Sequence, residues 1–136
     1  MYIIIIGSKM LTDSLSHSLE KNGNDICIFD RDMDKRNYMN YNHLINRKIR
    51  RIPGMEIDCH RLKEAGIEDA DILLAITQDD NVNIMVALMA KKMFNVPKVV
   101  AMVNDINKVS IYDKFDISII SLLQIETEIF KSIISP

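Results

Sequence analysis

The chain has 136 residues, with 17 basic and 19 acidic side chains and a formal net charge of −2. At 48% hydrophobic and 26% charged residues it has the composition of one globular domain, long enough to bury a core without disulfide or metal. The charge balance argues against a chain-wide nucleic-acid or membrane field, no apolar run approaches the ~20 residues of a membrane span, and no basic flank makes Met1-Tyr2-Ile3 a secretory signal.

Short β-branched runs alternate with helical patterns. Residues 2–6 (YIIII) lack polar alternation and predict a strand covered on both faces. Residues 10–22 follow as a helix with Leu11, Leu15 and Leu19 as its buried stripe, stopped by Asn22-Gly23-Asn24. Residues 25–30 (DICIFD) predict the second strand, after which Asp32 or Asp34 caps a polar helix to about Tyr41. Residues 48–52 (KIRRI) predict a third strand ended by Pro53-Gly54, and Asp58 caps a helix to Ala65 that stops at Gly66. Residues 71–76 predict the fourth strand. Asp79 or Asp80 opens the longest helix, to about Phe94, with Asn95 and Pro97 ending it. Residues 98–103 predict the fifth strand, and Asn104 or Asp105 caps a helix to about Lys114. Residues 116–120 predict the sixth strand and 121–134 the last helix. This rhythm implies an α/β domain: a doubly wound parallel six-stranded sheet with right-handed crossovers and helices on both faces. No linker or domain boundary interrupts it, so residues 1–136 read as a single domain.

The first strand–helix–strand unit carries the informative motif. Gly7 ends a strand and opens a helix, and Asp30 ends the next strand 23 residues later, near the ~20 expected of an acidic residue that binds a ribose. In the intact fingerprint GxGxxG, three glycines give a tight turn, backbone approach to a pyrophosphate, and close helix packing. Here the six positions read Gly7-Ser8-Lys9-Met10-Leu11-Thr12, so only the first glycine is present. The helix N-terminus still offers amides and partial positive charge to an anion, and Lys9 either adds charge there or fills the space. The plain alternative makes Gly7 a turn glycine and Asp30 a strand-end residue.

Other features have simpler readings. Cys59-His60 lacks the ligand count that zinc demands and reads as helix-start packing, and Cys27 reads as a small apolar residue in a buried strand. Residues 31–52 carry a charge of +5 and residues 53–80 a charge of −6. They read as a solvated face or an oligomer contact rather than a nucleic-acid surface. Met85, Met89 and Met93 lie at helical spacing, the pattern of core, although methionines also serve adaptable interfaces. Asp79-Asp80 reads as a cap at a helix start.

From Met1 to about Ile120 the chain resembles the N-terminal nucleotide-binding domain of the regulators of potassium conductance, the RCK or TrkA-N domain. The resemblance rests on YIIIIG, IFDRD, LKEAGIEDADILLAITQDDNVNIMVALMAKK, VPKVVAMVND and YDKFDISIIS, in that order. It implies a Rossmann-type sheet of order 3-2-1-4-5-6 and a non-enzymatic, cytoplasmic subunit acting on a membrane potassium channel or transporter. It also implies a ligand that is NAD(H) or an adenine nucleotide (ATP, ADP or AMP). Departures are Lys9 and Thr12 for the second and third glycines, Gly54-Met55-Glu56-Ile57 for Gly-Asp-Ala-Thr, and Met102 for the arginine of Ala-Arg-Val-Asn. Binding is therefore expected to be weak or altered, and no second, C-terminal ligand lobe is expected. The implied ligand contacts are Gly7, Ser8, Lys9, Met10, Asp30, Arg31, Met55, Thr77 and Asp79. Gly7, Ser8, Asp30 and Thr77 are expected to line a crevice between strands 1 and 4.

Two other readings stand beside this one: an NAD(P)-linked oxidoreductase-like domain, for which no catalytic constellation is visible, and a ligand-free interaction module. The last helix carries Leu122, Leu123, Ile125, Ile129, Phe130, Ile133 and Ile134, more apolar surface than one sheet face covers. A homodimer or larger oligomer through this helix is expected.

Overall fold

The computed structural model describes residues 1–7, 9–30, 49–54, 57–105, 107–109 and 113–135. Strands β1 (Tyr2–Gly7), β2 (Asp25–Asp30), β3 (Ile49–Pro53), β4 (Ile72–Ile76), β5 (Lys98–Met102) and β6 (Ser118–Ile120) form one sheet in the order β3-β2-β1-β4-β5-β6. Every pairing is parallel, as the alternation of strands and helices requires. The helices are α1 (Lys9–Lys21), α2 (Cys59–Glu64), α3 (Asp80–Lys92) and α4 (Leu122–Ile134), with 3-10 turns at Ile67–Asp69 and Asp113–Phe115.

The unbroken apolar run of β1 is explained by two cores. Ile4 and Ile6 point to one face, where Cys27, Phe29, Leu62, Ile67 and the inner side of α3 close over them. Ile3 and Ile5 point to the other, where Ile26, Ile28 and the α1 stripe Leu11, Leu15 and Leu19 pack. Arg51 of β3 reaches Asp13 of α1 at 2.5 Å and ties this second layer to the sheet edge.

The helix and strand ends follow local chemistry. Gly23 and Gly66 take φ of 85° and 81°, the left-handed values that stop a chain leaving a helix. Asp58 accepts the Arg61 amide and caps α2, Asp79 accepts the Asn81 and Val82 amides and caps α3, and Ser121 accepts the Gln124 amide and caps α4. Asn95, at φ 53°, turns the chain after α3.

Three expectations are adjusted. β6 begins at Ser118 rather than at 116, because Asp116 sits at φ 57°, outside extended geometry. Of the helix expected from Asn104 or Asp105 to about Lys114, residues 107–109 are helical, with Asp105 accepting the Asn107 amide at 3.0 Å, Asp113–Phe115 form a 3-10 turn, and 106 and 110–112 lie outside the described residues. Met85 and Met93 are exposed rather than core, because α3 turns Ile84, Val86, Ala87 and Ala90 to the sheet. The helix expected from Asp32 or Asp34 to Tyr41 lies outside the described residues.

α4 differs from the other helices. None of its residues is buried, and Leu123, Ile125, Ile129, Phe130, Ile133 and Ile134 are all exposed. Only Leu122, in its first turn, packs against the core, on the cluster that includes Ile76 and Met102.

Candidate functional site

The strand order reverses direction at β1, which lies between β2 and β4. Gly7, the last residue of β1, stands opposite Ile76, the last residue of β4. The C-terminal ends of these strands and the start of α1 therefore frame a crevice of the kind in which open α/β sheets hold ligands. Asp30 closes β2 at the same end, opposite Pro53 of β3.

Gly7 is glycine for a reason other than turn geometry, since its φ is not in the left-handed range. A Cβ on Gly7 would fall on Thr12 Oγ1 and 2.7 Å from Ile76 Cγ1. The Thr12 side chain thus fills the junction between β1, β4 and α1, where it is 2% exposed and its hydroxyl has no hydrogen-bond partner among the described residues. Two residues earlier, Met10 projects outward from the first turn of α1 and is 87% exposed.

The β4 side is a polar clamp. Asn83 of α3, 0% exposed, accepts the Thr77 amide at 2.8 Å and the Thr77 hydroxyl at 2.6 Å. Its side-chain amide donates to the carbonyls of Thr77 at 2.9 Å and Met102 at 2.8 Å. The Thr77 hydroxyl also accepts the Asp79 amide at 3.1 Å. Next to the capping Asp79, the Asp80 carboxylate accepts the amides of Asn104 at 3.1 Å and Asp105 at 2.9 Å. One buried asparagine and one carboxylate hold the ends of β4 and β5 in register.

Of the residues expected at the site, Gly7, Lys9, Met10, Asp30, Thr77 and Asp79 share this end of the sheet. Ser8, Arg31 and Met55 lie outside the described residues. Thr77 follows β4 at this end of the sheet, and its amide and hydroxyl are turned inward to Asn83 and Asp79. Asp80 and Asn83, which the resemblance keeps together with Asn104, were not among the expected ligand contacts, and here they serve the framework. Their signal was an asparagine among Ile84, Val86 and Ala87 on the buried face of a helix, a place a polar side chain holds only when all its bonds are made.

A second polar cluster lies at the opposite end of the sheet. Arg50 reaches the Ala65 carbonyl at 3.2 Å, the Tyr2 hydroxyl at 3.4 Å and Cys27 Sγ at 3.7 Å, and Tyr2 donates to the Ala65 carbonyl. Burial pushes the Tyr2 hydroxyl above the ordinary tyrosine range, and burial likewise pushes the Cys27 thiol up, against the opposing pull of Arg50. Cys59, by contrast, opens α2, with its thiol 3.6 Å from Met93 Sδ. Among the described residues no group of three or more His, Cys, Asp or Glu side chains is placed to hold a metal. Among them no helix is long and apolar enough to cross a membrane.

Residues 3–122 match the TrkA-N domain. This chain belongs to the TrkA-N family. It is 30% identical over 124 residues to the Trk system potassium uptake protein TrkA of Streptomyces coelicolor, covering 91% of this chain and 54% of that protein. The chain spans about half or less of the length of the curated relatives it matches. Two solved structures share its fold. The GsuK RCK domain superposes with a TM-score of 0.71 at 20% identity, over 95% of this chain and 27% of that one. The Kef C-terminal domain of Shewanella denitrificans in its AMP-bound form gives 0.67 at 18% identity, over 91% and 74%. As a TrkA-N domain, this chain keeps the sheet and its switch point while carrying Lys9 and Thr12 in the glycine loop.

Proposed function

We propose that residues 1–136 act as one non-catalytic sensing domain of a potassium-transport regulator, working in the cytoplasm. In this reading it binds an adenine nucleotide or NAD(H), weakly or in altered form, in the crevice between β1 and β4. The observation that carries this is the TrkA-N match over residues 3–122. Relatives named as potassium uptake proteins support the transport assignment, and the AMP-bound Kef neighbour supports an adenine nucleotide as the ligand class.

The ligand contacts in this reading are Gly7, Ser8, Lys9, Met10, Asp30, Arg31, Met55, Thr77 and Asp79. The start of α1 takes the phosphate, where unpaired amides and the helix dipole favour an anion. Asp30 accepts from the ribose hydroxyls. The partners are a second copy of this chain, met through the apolar face of α4, and a membrane potassium channel or transporter subunit. A ligand drives such a pair only by binding one of its geometries better than another.

A ligand-free interaction module is the second reading. It is favoured by the inward commitment of Thr77 and by the capping role of Asp79, which leave fewer polar groups for a ligand on the β4 side.

Thermal melting and calorimetry with NADH, NAD, ATP, ADP and AMP separate the two. The sensing reading expects a melting temperature that rises with the concentration of at least one of these ligands. It also expects a dissociation constant in the micromolar range or weaker, and further weakening in Asp30→Ala. No shift with any of the five at millimolar concentration leaves the module reading.

A further inference from the structure

α4, the helix among the described residues with no buried residue, is tied to the loop after β5 and the start of α3 by a short run of hydrogen bonds. Asn104 Oδ1 accepts the Leu123 amide of α4 at 3.4 Å. The amide of the same residue is held by Asp80 Oδ1 at 3.1 Å, and the next amide, of Asp105, by Asp80 Oδ2 at 2.9 Å. Asp80 follows the cap Asp79, whose amide donates to the Thr77 hydroxyl at 3.1 Å. A loop after β5 is therefore gripped by α3 on one side and grips α4 on the other.

We propose that Asn104 is the positioning residue that fixes the direction of α4, and that Asp80 sets Asn104, so that α4 follows the rim of the crevice. The geometry requires such a device. α4 has no buried residue, and beyond its first turn it has no core contact among the described residues that would set its angle. Its root is Ser121, which caps Gln124, and Leu122, which packs on the cluster that includes Ile76 and Met102. The cap and the packing of Leu122 on the core anchor the root but leave a swing about it, and the Asn104–Leu123 bond is placed to remove that swing. Because the carboxylate of Asp80 holds two successive amides, a change at the α3 start that rotates it releases both at once. The direction of α4 decides where its apolar face is presented, so the device links rim and face whatever ligand the crevice takes. The inference does not rest on nucleotide binding.

The test reads the direction of α4 in the full chain. Spin labels are placed at Lys21→Cys and Lys131→Cys in a Cys59→Ser background, with Cys27 buried. The labelled chain is diluted into unlabelled chain so that only the distance within one molecule is measured. A pivot of ~20° at the root moves Lys131 by about 5 Å, given 1.5 Å of rise per residue. The parent is expected to give one narrow distance. Asn104→Ala and Asp80→Ala are expected to broaden or shift it, although Asp80 does not touch α4. Asn104→Asp, which keeps an acceptor oxygen in place, is expected to restore the narrow distribution. A lower melting temperature with an unchanged distribution in both alanine variants overturns the proposal, as does Asn104→Asp behaving like Asn104→Ala. Should Asp80→Ala fail to fold, hydrogen exchange in Asp80→Asn replaces it. Faster exchange at the Leu123 amide together with 104 and 105 supports the link, and faster exchange confined to 104 and 105 overturns it.

Discussion

Thr12 occupies the place where a side chain on Gly7 would stand. A methyl group there would meet Thr12 Oγ1 and lie 2.7 Å from Ile76 Cγ1, so strand, neighbouring strand and helix meet on a bare Cα. Gly7→Ala is expected to cost about 1–3 kcal/mol by overpacking, read as a lower urea midpoint. Adding Thr12→Gly should recover part of that loss and no more, because Ile76 remains. Thr12→Val removes a buried hydroxyl that has no partner among the described residues while keeping the shape, and is expected to gain up to about 1–3 kcal/mol. A fall in stability for Thr12→Val would mean that the hydroxyl is bonded in solution.

The same pair bears on ligand choice. The second fingerprint glycine lets the backbone approach a pyrophosphate, and the third lets the helix pack closely. Lys9 and Thr12 stand at those positions. Lys9→Gly with Thr12→Gly is expected to raise NADH affinity about tenfold or more, a change of ~1.4 kcal/mol, with a smaller effect on AMP. Calorimetry on the two ligands checks it. Equal affinities before and after would place the cause of weak dinucleotide binding outside this loop.

Asn83 is expected to be the most sensitive polar residue of the site. It uses both side-chain atoms on Thr77 and Met102, and its loss leaves buried backbone groups of two strands unpaired. At about 1–3 kcal/mol for each buried group left unsatisfied, Asn83→Ala should approach the stability of a small domain. Chemical denaturation reads it. A cost below ~1 kcal/mol would show that water replaces the clamp.

The strands were legible because each carries its own signal, whereas their order in the sheet came from the resemblance. Four consecutive isoleucines in β1 leave no polar face, which a strand tolerates only in the middle of a covered sheet. Asp58, Asp79, Gly23 and Gly66 punctuate helices by side-chain and backbone chemistry that acts within a few residues. What escaped the sequence was nonlocal. The pairing of Asp80 with the amides of 104 and 105 joins elements 24 residues or more apart and has no periodic trace. Met85, Met89 and Met93 match a buried stripe by spacing, yet only Met89 packs against the core, because Ile84, Val86, Ala87 and Ala90 already fill the side turned to the sheet. Gly7 was legible as a required glycine, but the reason, a threonine side chain, shows only once α1 is docked on the strands.

Alkaline pH should find the cluster at the other end of the sheet. The Tyr2 hydroxyl and the Cys27 thiol both hold their protons more tightly when folded, chiefly because of burial. Above the unfolded pKa of each group the unfolded chain releases a proton that the folded chain keeps, so stability falls as pH rises. This contribution is fully present below about pH 8.5 for the thiol and about pH 10 for the phenol. Tyr2→Phe is therefore expected to flatten the decline of melting temperature above pH 10, and Cys27→Ala to flatten it from a lower pH. A Tyr2→Phe variant with the parent's alkaline slope would place the titration elsewhere.

Association through α4 gives the last expectation. Leu123, Ile125, Ile129, Phe130, Ile133 and Ile134 lie exposed on a helix whose only core contact among the described residues is Leu122 in its first turn. Exposed apolar patches of several hundred Å² are uncommon on soluble monomers and usually mark an interface. The polar face carries Glu126, Glu128 and Lys131, so it lacks the excess of lysine and arginine that fits a helix to an anionic membrane surface, and a protein partner suits it better. A two-fold pair would cover the same patch on both copies at once. Sedimentation at micromolar concentration is expected to show a dimer or larger species rather than one of 15.6 kDa. Phe130, 66% exposed in the single chain, is the residue to change. Phe130→Asp should leave the monomer's fold and melting nearly intact, because the side chain belongs to neither core cluster among the described residues. It should split the dimer, because a buried interface cannot take an unpaired carboxylate without large cost. A folded variant that stays dimeric would move the interface away from α4, to the exposed methionines of α3.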